Sequence, residues 1–189
     1  MKPLPPVIKW FGSKRPVAAG LAQYVLQAPR YFEPFVGGGA MLPFAKSQCG
    51  FASDIIPELI ELWNIIKGDP LLVAEEYRKR WELLQQKGQE VYYQIRDDFN
   101  RTKNCLDFLF ITRTCVNGMI RYNSEGCFNN SFHLSRPAYI RMTAPKAAES
   151  IRWKFVDAEE PDNETLISEA RKALFSDDAS AGKDTYKDY

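Results

Sequence analysis

Residues 32–40, FEPFVGGGA, run a short apolar segment into three consecutive glycines. A backbone without Cβ atoms can approach a ligand closely, and the N–H groups of the turn behind it then face that ligand. The dinucleotide fingerprint G-x-G-x-x-G is not completed, because Leu42 stands where the third glycine belongs. Pyrophosphate binding is thus not supported. A nucleoside ligand stays open, beside the plain alternative of a tight turn. Asp54 follows Gly39 by 15 residues. A carboxylate at the end of a strand can accept hydrogen bonds from a ribose hydroxyl pair. Alone it reads as a helix cap ahead of Pro57; with the glycines before it, the ribose reading is the better one.

Two further segments carry reactive or recognising side chains. In IKWFGSKR, residues 8–15, Trp10 can pack its face on a planar ligand and Lys14 can meet a carboxylate. The plainer reading is a buried tryptophan beside a surface lysine. In NGMIRYNSEGCFNNSFH, residues 117–133, Asn and Arg side chains accompany aromatic residues. These are the side chains that read adenine and guanine edges through paired hydrogen bonds, and Tyr122 and Phe128 can stack on bases or wedge between them. A polar β-hairpin with Asn-Gly at its turn accounts for the same letters. Arg113 can reach a phosphate or complement a helix C-terminus. His133, the one histidine, has no thiol or carboxylate at a diagnostic spacing and reads as a loop residue. The acidic pairs Glu75-Glu76, Glu159-Glu160 and Asp177-Asp178 are sequence neighbours that point apart on a helix, and read as solvated.

The elements that must hold these residues are legible in outline. Tyr31–Val36 reads as a strand ended by the glycines, residues 40–46 as the start of a helix, and Gly50–Asp54 as a second strand: the opening of an α/β sheet. Residues 57–114 read as four helices. Pro57 suits a first helical position, and Leu59, Leu62, Trp63 and Ile66 recur at helical spacing. Gly68 closes the first helix and Asp69-Pro70 starts the second, which places Val73, Tyr77, Trp81 and Leu84 on one face until Gly88. Tyr92, Ile95 and Phe99 mark a third helix, and Leu106, Leu109 and Phe110 a fourth. Residues 115–138 have loop or β-ribbon composition. Ile151, Trp153 and Phe155 alternate with Arg152 and Lys154, as in a strand with one wet face. Leu166, Ile167, Ala170 and Leu174 give a last helix, and the tail SDDASAGKDTYKDY is polar and expected to be mobile.

Composition narrows the class. The chain has 189 residues, 45% hydrophobic and 26% charged, as in an ordinary globular domain. No apolar run reaches the roughly 20 residues of a membrane helix, and no secretory signal is visible. Lys and Arg number 25 against 24 Asp and Glu, so any nucleic-acid surface must be local. Cys49, Cys105, Cys115 and Cys127 show no CxxC spacing, so they read as reduced thiols in a cytoplasmic protein.

Taken jointly, KWFGSK, FEPFVGGGA, the Ser-Asp at 53–54, and NGMIRYN with GCFN resemble the Dam-type DNA adenine-N6 methyltransferases, in that family's order and near its spacing, over about residues 6–156. The resemblance implies a partial S-adenosylmethionine-dependent methyltransferase sheet of Rossmann-like α/β type with a helical DNA-recognition insertion. It divides the chain into a cofactor-binding part at 1–56 and 139–175, an insertion at 57–138, and the tail 176–189. Trp10, Lys14, Phe35, Gly37, Gly39 and Asp54 match the cofactor-binding motifs. Arg113, Asn117, Met119, Arg121, Tyr122 and Asn123 fall in the region that contacts DNA. The implied partners are S-adenosylmethionine and double-stranded DNA, in settings such as restriction–modification. No catalytic residue is carried over, because the family's Asp-Pro-Pro-Tyr motif occurs nowhere in the sequence. That motif would hold the amino group of a flipped adenine toward the methyl donor. Its absence leaves three readings: a truncated methyltransferase, one half of a split enzyme whose second chain supplies the motif, and a non-catalytic DNA-binding module. A dehydrogenase-like nucleotide-binding protein is disfavoured by the missing third glycine. Ser131, His133 and Leu134 depart from the family's usual residues, which leaves the target sequence open. The family's catalytic strand lies beside the glycine-motif strand, so without it the strand at 31–36 is expected to be an open edge, and the chain marginal, aggregating or paired with another chain.

Overall fold

Three prolines or asparagines and two left-handed residues punctuate one long helical run. In the computed structural model, which describes residues 6–25, 30–44, 49–134 and, as backbone, 153–157, helix α1 spans Arg15–Leu21 and strand β1 Arg30–Glu33, and strand β2 spans Cys49–Asp54. Helices α2 (Pro57–Gly68), α3 (Pro70–Lys87), α4 (Glu90–Thr102) and α5 (Cys105–Thr114) follow, and β3 is Trp153–Asp157. Pro57 and Pro70 begin their helices where the absent N–H is no loss. The Asp69 carboxylate accepts from Leu72 N–H at 2.9 Å, and the Asn104 side chain accepts from Leu106 and Asp107 N–H at 2.9 and 3.2 Å. Gly88, at φ +79°, ends α3, and Lys103 ends α4 in the left-handed region. All four helices expected between 57 and 114 are present.

The sheet is parallel throughout, in the order β1-β2-β3. Phe32 and Phe51 are register partners, and their rings stack at 5.3 Å. Helix α2 packs on β2 and β3 and also on α5. Its inward residues Leu59, Leu62 and Ile66 are fully buried, each worth about 1.5–3 kcal/mol over an exposed position. One hydrophobic cluster runs without a break from Val7 and Val36, through α2, to Tyr92, Phe108 and Phe128.

The structure corrects the sequence reading in three places. The first strand stops at Glu33, not Val36, because Pro34 has no N–H to give the ladder. Where the start of a helix is expected at 40–46, the described residues form a 3-10 turn at Leu42–Phe44 that contains Pro43, and residues 45–48 lie outside the described ones. The helix-cap alternative for Asp54, already the weaker of its two readings, is not met, since the N-terminal cap position of α2 is Ile56 with no side-chain bond. Glu76 is no free solvated acid: it pairs with Arg80 at 2.8 Å, and Arg80 in turn reaches Asp107 on α5 at 2.8 Å. Helix α1 has no counterpart in the sequence reading. Of the strand expected at 151–156, the described backbone covers β3, Trp153–Asp157; its side-chain faces, the helix around Leu166–Leu174, the later acidic pairs and the tail lie outside the described residues.

Residues 115–134, the described part of the loop or ribbon expected at 115–138, hold a 3-10 turn at Val116–Gly118 and two isolated bridges. Cys115 bridges Phe132 and Tyr122 bridges Phe128, both antiparallel. No helix of the described residues is long and apolar enough to cross a membrane.

Candidate functional site

The carboxyl ends of β1 and β2 lead into the glycine turn and Asp54, the end of a parallel sheet where ligands bind in open α/β folds. Val36 N–H donates to Ser53 C=O at 2.9 Å, which ties the two strand ends together. Gly37, at φ +46°, donates its N–H to Asp54 Oδ2 at 2.9 Å and accepts from Trp63 Nε1 at 2.9 Å. Asp54 is 8% exposed. Its Oδ1 has only a long 3.4 Å contact from Ile56 N–H, so most of that oxygen's acceptor capacity is unspent.

The glycines serve packing as well as any ligand. A Cβ on Gly37 would lie 2.8 Å from Trp10 Nε1, one on Gly38 2.9 Å from Trp10 Cβ, and one on Gly39 2.7 Å from Trp63 Cζ2. The turn is therefore wedged between two indole rings. Trp10 is a partly buried prop under the turn, edge-on to Phe108 at 6.4 Å. Lys14 is exposed, with Nζ donating to Gly12 C=O at 3.3 Å. Phe35, just ahead of the turn, is 84% exposed, and Ile55, next to Asp54, is 74% exposed. Large apolar side chains so open at strand ends suit a flat apolar ligand.

On β1, Tyr31 Oη donates to Glu33 Oε2 at 2.5 Å. Burial pushes the Glu33 carboxyl up, against the opposing pull of that hydrogen bond. The Tyr31 hydroxyl is pushed well above its usual range by burial and by Glu33.

The second group of residues lies on the ribbon. Asn117 (φ +57°) and Gly118 (φ +65°) are consecutive left-handed residues, and Met119 N–H closes on Val116 C=O at 3.2 Å. This Asn-Gly pair makes a tight turn within the first arm of the ribbon and does not close a hairpin: the chain reverses between Tyr122 and Phe128, where Asn123 N–H donates to Cys127 C=O at 2.9 Å. The tight turn leaves Asn117 and Met119 exposed, while Gly118 lies against the Lys9 stem, whose Cδ is 2.8 Å from the Cβ a residue at 118 would carry. Arg121 is exposed and donates to Asn129 Oδ1 at 2.9 Å. Tyr122 stands edge-on to Phe128 at 5.8 Å, and burial pushes its hydroxyl up to about 12. Asn123 Oδ1 accepts from Glu125 and Cys127 N–H at 3.0 and 2.8 Å, so its oxygen builds the turn. Arg113 faces inward: its Nη1 donates to Pro6 and Val7 C=O at 3.2 and 2.7 Å. Burial lowers its pKa from the usual value.

Three supporting residues escaped the sequence reading. Trp63 reads as part of an apolar stripe, yet a buried indole N–H needs an acceptor, and that requirement is the available signal. Asn100 takes both main-chain groups of Phe128: Oδ1 accepts its N–H at 2.7 Å and Nδ2 donates to its C=O at 3.1 Å. Asn130 Nδ2 donates to Val116 and Met119 C=O, both at 2.9 Å, and Tyr92 Oη donates to Asn130 C=O at 2.9 Å. No sequence spacing announces such long-range contacts. Among the described residues no group of three or more His, Cys, Asp or Glu is placed to hold a metal, and Cys105, Cys115 and Cys127 are free thiols.

Comparison with known proteins matches these features. Residues 10–159 match the model of the D12 class N6 adenine-specific DNA methyltransferases. The chain is 34% identical over 145 residues to the type II methyltransferase M.MjaIII of Methanocaldococcus jannaschii, covering 66% of this chain and 50% of that protein. It is 32% identical over 137 residues to a DNA adenine methylase of Vibrio cholerae, covering 70% of this chain and 49% of the relative. The DNA adenine methylase of Escherichia coli is 31% identical over 140 residues, with the same two shares. The chain thus spans about half the length of these curated relatives. With the glycine turn, Asp54 and the Asn-Gly ribbon all inside the matched residues, the chain belongs to the D12 class N6 adenine-specific DNA methyltransferase family.

Proposed function

We propose that this chain carries the cofactor- and DNA-binding parts of a DNA adenine-N6 methyltransferase that uses S-adenosylmethionine, with a sheet of the Rossmann-like methyltransferase type. The observation that carries the reading is the Asp54–Gly37 lock at the carboxyl ends of two parallel strands, flanked by the open side chains of Phe35 and Ile55. The donor set fits the cofactor. The unspent Oδ1 of Asp54 accepts from ribose hydroxyls, the exposed apolar side chains cover a purine, and Lys14 meets a carboxylate. Gly37 and Gly39 shape the turn, and Trp10 supports it. The bound cofactor supplies an electrophilic methyl group on a sulfonium sulfur.

The ribbon bearing Asn117, Met119, Arg121, Tyr122 and Asn123 faces double-stranded DNA. Its backbone is fixed by Asn100 and Asn130 before any DNA arrives, which lowers the ordering cost of binding. The chain holds no Asp-Pro-Pro-Tyr string, so the groups that would position the adenine amino nitrogen come from another segment. A second chain that supplies the motif is one source.

Equilibrium dialysis with labelled S-adenosylmethionine, followed by label counting in unmethylated duplex DNA, tests this. Expected are saturable binding displaced by S-adenosylhomocysteine but not by NAD, and no label in DNA from the chain alone. A folded chain that ignores S-adenosylmethionine would overturn the reading. Label in DNA from the chain alone would overturn the requirement for an outside motif.

A further inference from the structure

The segment at residues 6–10 joins the two halves of the proposed site. Trp10 lies under Gly37 and Gly38, and Ile8 C=O is 3.3 Å from the Cβ a residue at 38 would carry. At its other side the Lys9 stem covers Gly118, next to Asn117. Val7 and Ile8 are buried in the common core. What anchors this segment to the helices is Arg113, in the last turn of α5, through the two bonds from Nη1 to Pro6 and Val7 C=O. The guanidinium also lies 6.0 Å from the Tyr77 ring centre, on α3. A charge-assisted bond to a main-chain carbonyl is stronger than a neutral one, and this group spends one nitrogen on two of them.

We propose that Arg113 is a positioning residue for the cofactor site: it holds residues 6–7 so that Trp10 stays wedged beneath the glycine turn. The inference rests on the cofactor reading above. It gives Arg113 a task different from the DNA contact expected of its sequence position. With Nη1 on two carbonyls and Nε buried away from solvent, the guanidinium has less to offer a phosphate. Substitution should then loosen the Trp10 prop and leave the ribbon's exposed face as it is, since that face is held by Asn100 and Asn130.

The test compares wild type with Arg113→Lys and Arg113→Gln, each checked for folding by circular dichroism. S-adenosylmethionine affinity is measured by dialysis, and duplex DNA affinity as a function of salt. For Arg113→Gln the expected result is a loss of cofactor affinity of about tenfold or more, the scale of a lost charged hydrogen bond. Arg113→Lys, which keeps a cationic donor, should recover part of it and carries the test if the Gln variant does not fold. DNA affinity and its salt slope should stay at the wild-type values. A salt slope shallower by about one, with cofactor affinity unchanged, would identify Arg113 as a phosphate contact and overturn the proposal. So would a parallel fall of both affinities that tracks thermal stability. Wild-type protein that binds no S-adenosylmethionine would instead strike the underlying function, so the two failures are distinguishable.

Discussion

Asp54 reaches the glycine turn through Oδ2 and the Gly37 N–H, while its Oδ1 keeps acceptor capacity. One side chain thus shapes the turn and, in the proposed function, meets the ribose. The two tasks separate by substitution. Asp54→Asn keeps an oxygen for Gly37 N–H and places an NH2 group where hydroxyls need an acceptor. It should melt with the wild type yet bind S-adenosylmethionine about tenfold or more weakly. Asp54→Ala strands the Gly37 donor as well, at about 1–3 kcal/mol, a melting drop of about 2–4 °C per kcal/mol for a chain this size. Calorimetry of both variants checks this, and unchanged cofactor affinity in Asp54→Asn would remove the ribose role. Asp54 was legible in the sequence because strand-end spacing after a glycine turn is a local signal. The wedge of Trp10 and Trp63 around Gly37–Gly39 was not. It joins three segments far apart in the chain, and the letters G, G and G look the same whether a ligand or an indole fills the space that their missing Cβ atoms leave.

The helices show the opposite case. Their apolar recurrence, Pro57 and Pro70 at first positions and Gly88 at an end are all local signals, and the boundaries followed from them. The ribbon after α5 was harder, because its order comes from α4. Asn100 acts as a one-residue strand partner for Phe128, and the Lys103 Nζ lies 5.1 Å from the Phe99 ring centre beside it. Since Phe128 bridges Tyr122 on the ribbon proposed to face DNA, loss of Asn100 should act on DNA and not on the cofactor. Asn100→Ala leaves both Phe128 main-chain groups without their partner. DNA affinity read by fluorescence anisotropy should fall by about tenfold, with S-adenosylmethionine binding held within error. Asn100→Asp, which keeps only the acceptor, should lie between. An Asn100→Ala protein with wild-type DNA affinity would mean that the ribbon does not need preordering or does not face DNA.

At the scale of the molecule, the division implied by resemblance, cofactor part and helical insertion, meets a core that does not divide. Leu59, Leu62 and Ile66 of α2 are wholly buried where that helix packs on β2, β3 and α5 at once, and the cluster continues to Phe99, Phe108 and Phe128. A boundary drawn at residue 57 therefore passes through shared packing. Sequence alone could not show this, because periodicity reports that a helix has an apolar face and not how many partners share it. Separate cores would unfold in separate steps, whereas a shared one couples the sheet to the helices. Urea unfolding followed by far-ultraviolet dichroism and by tryptophan fluorescence should give coincident curves. Leu62→Ala, at the centre of the shared packing, should shift both curves together by about 2–5 kcal/mol. Two resolved transitions, with Leu62→Ala moving only one, would mean that the helices fold independently of the sheet. In that case cofactor and DNA binding could not be coupled through the core, and any communication between them would have to run along residues 6–10 alone.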